Sequence, residues 1–361
     1  MVDGRELVLV FEPEAACLSR LLAQGLEPRH ARAIASYLAQ STDLAPDFAA
    51  IGEACGRLGI GLSAIPLHDP PRELARRVPE RTLVWTLTDG IAYFRGGASP
   101  ALARLHGMRT FGSDDSLFAL CQDKFRSGAV LRALGLPAPA AGLARDGAWL
   151  AEPPASSDGW FVKPNRLGAK IGIWPDSHAR DLDAALELSR RIYAAYGDDA
   201  IVQAYVEGRN VRVSYLAVEL GAGADALGVV FVDSGGDFQT MDDSLALYGD
   251  TGAAAKASGA YSEPELVPVA ALQPQADVAI RRIAAQMMQG LGLRDVFSLD
   301  LRVEPDGRLH LIEFEVCPGL PCFDFRAYCR DRWGMDLPSA MATAAAGAWK
   351  PSVEADLGVP G

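Results

Sequence analysis

The sequence predicts an α/β protein, α+β over its whole length, with a parallel sheet early in the chain and an antiparallel sheet late. Three observations carry this. The chain has 361 residues, enough for two or three domains that each bury a core. Over residues 1–120, short apolar runs alternate with stretches of helical periodicity, the order of a parallel sheet covered by helices. From Asn210 the apolar runs follow one another across turns, which is antiparallel order.

The elements follow in turn. Residues 6–11 (ELVLVF) are an almost unbroken apolar run, as a buried parallel strand requires. Residues 14–40 and 46–57 repeat apolar positions every three or four residues and are expected to be helical. Strands are expected over 60–66 and 82–87, a helix over 100–105 and a short strand over 108–111. A helix over 122–134 is closed by Gly135, with Pro137 two residues on. Residues 137–157, rich in Ala and Pro, are expected to connect two domains. A strand over 160–163 then precedes the loop 164–170, a helix over 180–196 and a strand over 200–205. Strands near 211–218 and 226–232 lead into 233–265, a long segment rich in Gly, Asp and Ser whose expected nature is a functional lid or disorder. A helix over 275–290 and strands over 296–303 and 308–316, flanking the turn Glu304-Pro305-Asp306-Gly307, complete the series. The expected domains are 1–120, 121–207 and 208–361, without an internal repeat.

Composition narrows the function. Lys and Arg number 34 against 46 Asp and Glu, a formal net charge of -12, which argues against a nucleic-acid partner. No run approaches the length of a membrane span, and the first residues lack the basic and apolar regions of a signal peptide. Six cysteines without a C-x-x-C pair suit a reducing cytoplasm better than a disulfide scaffold, and the cluster Cys317, Cys322, Cys329 with His310 matches no closed zinc pattern.

Two groups of residues suggest chemistry. Glu313 and Glu315 are two apart on one strand and project from one face. If the 304–307 connection is a two- or four-residue loop, Asp300 lies diagonal to Glu313 on that face; a three-residue loop with a Gly bulge shifts the parity. Three such carboxylates suit Mg²⁺ completed by phosphate oxygens, and a solvent-facing acidic strand is the alternative. Lys163 ends an apolar strand and precedes Gly168-Ala169-Lys170-Ile171-Gly172, where glycines would admit a phosphate and lysine would supply countercharge. A hairpin with an exposed Lys is the bland alternative, and no Walker loop occurs.

Taken in order, these pieces resemble the ATP-grasp superfamily and, within it, the D-alanine–D-alanine ligase family. The resemblance rests on Asp123-Lys124-Phe125-Arg126-Ser127 with Gly135-Leu136-Pro137, on Val162-Lys163-Pro164-Asn165-Arg166 with Gly168 and Gly172, and on Val202-Gln203-Ala204-Tyr205-Val206-Glu207-Gly208. Asp300, Asp306-Gly307 and Glu313-Phe314-Glu315-Val316-Cys317-Pro318-Gly319 close it. It implies an ATP-grasp fold in which Lys124 and Lys163 contact ATP phosphates and the loop Gly168, Ala169, Lys170, Ile171, Gly172 closes over them. Gln203, Ala204, Tyr205 and Val206 would read adenine, Asn210 would lie near the ribose, and Asp300, Glu313 and Glu315 would hold one or two Mg²⁺. The activity implied is ATP-dependent joining of a carboxylate to an amine through an acylphosphate, in a cytoplasmic homodimer.

The departures concern the substrates. The family's Gly-Gly-x-Ser-x-Glu turn is replaced by Phe11-Glu12-Pro13-Glu14, two loop serines by Ala169 and Lys170, its intermediate-steadying Arg by Ser298, and a metal-ligating Asn by Glu315. Arg302 is a candidate substitute for the lost Arg, with a strand ion pair as the alternative; Arg326 is a candidate for an acceptor carboxylate, with a surface helix Arg as the alternative. Tyr248, Lys256 and Tyr261 are lid candidates, and the five histidines share no motif. The expectation is a ligase of specialised metabolism acting on amino-acid-like substrates. Its rivals are a peptidoglycan D-alanine–D-alanine ligase and an inactive nucleotide-binding sensor or scaffold.

Overall fold

The computed structural model describes residues 4–68, 70–89, 95–168, 170–233, 238, 240 and 264–349. It holds one parallel and two antiparallel sheets flanked by helices. The parallel sheet contains β1 (Arg5–Phe11), β2 (Ile60–Pro66), β3 (Thr82–Thr86) and β4 (Arg109–Phe111), in the order β2-β1-β3-β4. Leu7 through Val10 are all buried, because helices cover both faces of β1. The helix expected over 14–40 is two helices, Glu14–Ala23 and Pro28–Thr42. Gly25, at φ +87°, turns the chain between them, and Pro28 opens the second.

The second sheet has the order β6-β5-β9-β7-β8, from β5 (Ala141–Arg145), β6 (Ala148–Ala151), β7 (Trp160–Pro164), β8 (His178–Ala179) and β9 (Ala200–Ala204). Its β5–β6 hairpin corrects the expectation of a plain connection over 137–157. Asp146 and Gly147 both take positive φ and form a two-residue turn, the Asp-Gly signal that the Ala and Pro content masked. Helix Leu182–Tyr196, capped by Asp181, buries Ala185, Leu188 and Ile192 against Trp160, Val162 and Val202 of this sheet.

The third sheet runs β12-β11-β10-β13-β14, from β10 (Arg209–Leu216), β11 (Gly228–Asp233), β12 (Glu265–Pro268), β13 (Val296–Val303) and β14 (Leu309–Glu315). Along β10, Val211, Val213 and Tyr215 enter the core with Ile280, Ala284 and Met287 of helix Pro274–Leu291. Asn210 and Arg212 therefore face the other way, toward the second sheet. Two further helices, Phe323–Trp333 and Leu337–Gly347, return to the first sheet: Phe325, Met341 and Ala345 share a core with Leu7, Leu9 and Trp85. Among the described residues no helix is long and apolar enough to cross a membrane. Tyr248, Lys256 and Tyr261, most of the expected lid, and Ala169 lie outside the described residues.

Candidate active site between two antiparallel sheets

One cavity lies between the second sheet, at β7 and β9, and the third, at β10, β13 and β14. At one end it is lined by Gln203, Ala204, Tyr205 and Val206, where β9 runs out, and by Phe161 and Phe238, whose rings meet edge to face at 5.0 Å. Asn210 and Arg302 stand opposite one another on β10 and β13 at this end. Arg302 donates to the Gly208 carbonyl at 2.6 Å, and its guanidinium lies 5.7 Å from the Tyr205 ring centre. His178 stacks on Tyr205, centroids 3.6 Å apart, a partner that no motif announced. Arg302 thus shares the cavity with Asp300 but is committed to its apolar end.

The other end is charged, and its register is built in two steps. Glu304 N–H donates to the Arg308 carbonyl, leaving Pro305-Asp306-Gly307 as a three-residue loop with Gly307 at φ +87°. That loop alone would put Asp300 and Glu313 on opposite faces. A bulge at Ile312 inserts one residue, so the pairing passes from Leu301–Leu311 to Asp300–Glu313, and the two carboxylates become direct cross-strand neighbours. This corrects the diagonal expected from an even-numbered loop. Ser298 pairs with Glu315 two residues further along.

Lysines from two other elements meet Glu313. Lys163, at the end of β7, lies 3.3 Å from its Oε2, and Lys124 lies 3.8 Å from the same oxygen. Lys124 opens helix Lys124–Ala133, whose cap Asp123 accepts from Arg126 N–H at 3.0 Å. Asn165 fixes this helix to the β7 loop: its side chain accepts from Phe125 N–H and its carbonyl from Lys124 N–H. Burial pushes the Glu313 carboxyl up, but Lys163 and Lys124 outweigh it and hold the group at about 2. Burial also lowers Lys163, with Glu313 opposing.

Sequence reasoning missed Arg212. Its guanidinium contacts Asp300 at 3.0 Å, Glu315 at 3.6 Å and Asp324 at 3.7 Å, and donates to Ser298 Oγ at 3.3 Å. The signal was present, since alternation along Val211-Arg212-Val213 places Arg212 on the face of Asn210 and so on that of Asp300. Burial raises Glu315 to about 7 against the pull of Arg212, and burial likewise raises Asp300. Lys170, at φ +60°, also lines the cavity; burial first, then Arg212, lowers it to about 8.

The remaining candidates separate. Gly168 and Glu315 line a second, smaller cavity that shares Glu313 with the first and reaches Lys124, Asp89 and Gln122. Ile171 is buried against Leu21 and Leu38, and a Cβ on Gly172 would meet Pro164 at 2.5 Å, so both pack the loop down. Arg326 bonds Asp47 at 2.7 Å and the Pro321 carbonyl at 3.0 Å, a link within the protein.

Asp300, Glu313 and Glu315 offer only hard oxygen donors, the chemistry Mg²⁺ takes when phosphates supply further ligands. Among the described residues no group of three or more His, Cys, Asp or Glu converges as a metal cage; Arg212 pairs with both Asp300 and Glu315, and the two lysines pair with Glu313. The donor set fits a metal that arrives with a nucleotide.

The family model of the D-ala D-ala ligase C-terminus matches residues 157–343. A D-alanine--D-alanine ligase of Streptomyces griseus subsp. griseus is 24% identical over 283 residues, 75% of this chain and 67% of that protein. Among solved structures, the D-alanine--D-alanine ligase from Bacillus anthracis complexed with ATP superposes with a TM-score of 0.63 at 13% identity, covering 95% of this chain and 97% of that one. D-cycloserine synthetase DcsG gives 0.56 at 15% identity, covering 96% and 100%. The two solved structures share the fold, with its parallel sheet and two antiparallel sheets. With the family model spanning more than half of its length, the chain belongs to the D-alanine–D-alanine ligase C-terminal family.

Proposed function

We propose that the protein is an ATP-dependent ligase that joins a carboxylate to an amine through an acylphosphate. The observation that carries this is Glu313. It forms a shared wall between two cavities, one with an apolar end and a charged end, the other small and polar, and both lysines meet on it. Adenine fits the end lined by Gln203–Val206, with Asn210 beside the ribose and the phosphates extending toward Lys163, Lys124 and Lys170. A bound Mg²⁺, held by Asp300, Glu313 and Glu315, would supply charge neutralisation at the phosphates.

A substrate carboxylate in the second cavity then meets the terminal phosphate. Its oxygen forms a bond to phosphorus as the bond to the ADP oxygen breaks. The amine nitrogen next bonds to the acyl carbon, phosphate leaves with the carbon–oxygen electron pair, and the nitrogen gives up its proton. The lysines offset charge on the transferring group. In the second cavity Asp89 accepts from Gln122 at 2.9 Å, while its buried Oδ1 has no hydrogen-bond partner among the described residues; an ammonium suits that oxygen.

D-alanine is not the natural pair of substrates in this reading. Glu12, at the end of β1, is held by Arg20 through two bonds of 2.8 and 3.0 Å and is not available to orient an ammonium, while Ser298 carries no charge. The proposal extends to a cytoplasmic homodimer, to specialised metabolism, and to domains 1–120, 121–207 and 208–361, all of which rest on the family resemblance and the sequence. Screening carboxylate and amine pairs for ADP release, then for product mass, tests the function. ADP release that needs both partners is expected. Robust D-alanyl-D-alanine formation at the rate of the best other pair would restore the wall-synthesis reading, and no ADP release with any pair would favour a sensor.

A further inference from the structure

We propose that Arg212 is the group that grips the terminal phosphoryl of ATP while it transfers, a role that rests on the ligase reading above. Arg212 lines the charged end of the cavity beside Lys163, Lys170, Asp300 and Glu313. Arg302, the other arginine lining this cavity, is spent at the apolar end on Gly208. Arg212 is also fixed in place before any ligand arrives. Asp300, Glu315 and Asp324 hold it from two strands and the helix Phe323–Trp333, and Ser298 of β13 accepts a bond from it.

Such a guanidinium can meet a phosphoryl group with little reorganisation, which is the condition for electrostatic stabilisation of a transition state. Its planar fork pairs with two phosphate oxygens at once, which a lysine cannot do. Asp324 sits outside the Asp300, Glu313 and Glu315 set, so it can keep the guanidinium in position when those carboxylates take another cation. Asp324 is on this account a positioning residue.

The alternative is that Arg212 only balances three carboxylates, and binding separates the two. Calorimetry with Mg²⁺ would compare ADP and the non-hydrolysable β,γ-imido analogue of ATP on the parent, Arg212→Lys and Arg212→Met, with thermal unfolding as a check on the fold. Arg212→Met is expected to lose about tenfold in affinity for the triphosphate while ADP affinity moves less than twofold. Arg212→Lys, which keeps the charge and so protects the fold, should lose about threefold for the triphosphate alone. With a substrate pair in hand, Arg212→Lys should lower kcat about a hundredfold while KM for ATP rises no more than about threefold. Equal changes for both nucleotides, or no change in either, would make Arg212 a counter-ion and overturn the proposal. Failure of the ligase reading shows separately, as a parent that prefers the triphosphate yet releases no ADP with any carboxylate and amine.

Discussion

The two ends of the cavity are built on different physics. At the apolar end, position comes from the sheet itself: β9 runs out at Ala204, and the neighbouring rings pack by shape, Phe161 on Phe238 and His178 on Tyr205. At the charged end, position comes from cations and carboxylates that cross-brace strands of different sheets, such as Lys163 of β7 on Glu313 of β14. Shape packing tolerates the loss of one contact, whereas a buried charge left without its partner does not. Substitutions should therefore differ sharply in effect between the two ends.

Glu313→Gln is expected to have the largest effect. The amide is close in shape but a poor ligand for a hard cation, and turnover should fall about a thousandfold, with some stability lost as well because Lys163 and Lys124 lose their partner charge. Unchanged ADP formation in this variant would remove Glu313 from the chemistry. Next, Lys163→Ala should weaken ATP binding by some tens-fold to about a hundredfold, the equivalent of about 2–3 kcal/mol for a charge-assisted contact. Equal calorimetric affinity for variant and parent would exclude Lys163 as a phosphate ligand.

Lys170 sharpens the comparison through pH. Burial and Arg212 lower its ammonium to about 8, and bound phosphate would raise it again, so ATP binding takes up a proton where the free site has lost one. Through Lys170, ATP affinity should therefore fall about tenfold between pH 7 and pH 9. Lys170→Met should bind more weakly at pH 7 and lose the fall above pH 8. A parent profile that is itself flat across this window would break the argument. Phe161→Ala, at the apolar end, should have the smallest effect, a few-fold loss in ATP affinity, since an edge-to-face aromatic pair contributes about 0.5–1.5 kcal/mol. A loss as large as that of Lys163→Ala would erase the contrast between the two ends.

The same contrast decides what the sequence could reveal. The parallel strand at β1 was legible because burial on both faces demands an unbroken apolar run, and Leu7–Val10 supply it. Lys163, Glu313 and Asp300 were legible as candidates, and a shared face for the two carboxylates was one of two parities left open; their direct pairing was not legible, because it depends on an odd loop at Gly307 cancelled by a bulge at Ile312. Neither irregularity alters the apolar pattern enough to be counted. Arg212 escaped for another reason: a single charge in an alternating strand reads as a solvent-facing position, and only the packing of one sheet over another turns that face inward. The roles along Gln203–Val206 rested on family resemblance, since backbone groups at a strand end leave no mark on side-chain identity.

The central claim is transfer of a phosphoryl group to a carboxylate, and oxygen labelling tests it most directly. A carboxylate substrate carrying ¹⁸O in both oxygens would be turned over with ATP and an amine, and the released phosphate analysed by mass. Attack of the carboxylate on phosphorus leaves one labelled oxygen in each phosphate formed, because the amine later breaks the bond between that oxygen and the acyl carbon. The account predicts one ¹⁸O per phosphate, matched to product. Product formed with unlabelled phosphate would contradict it.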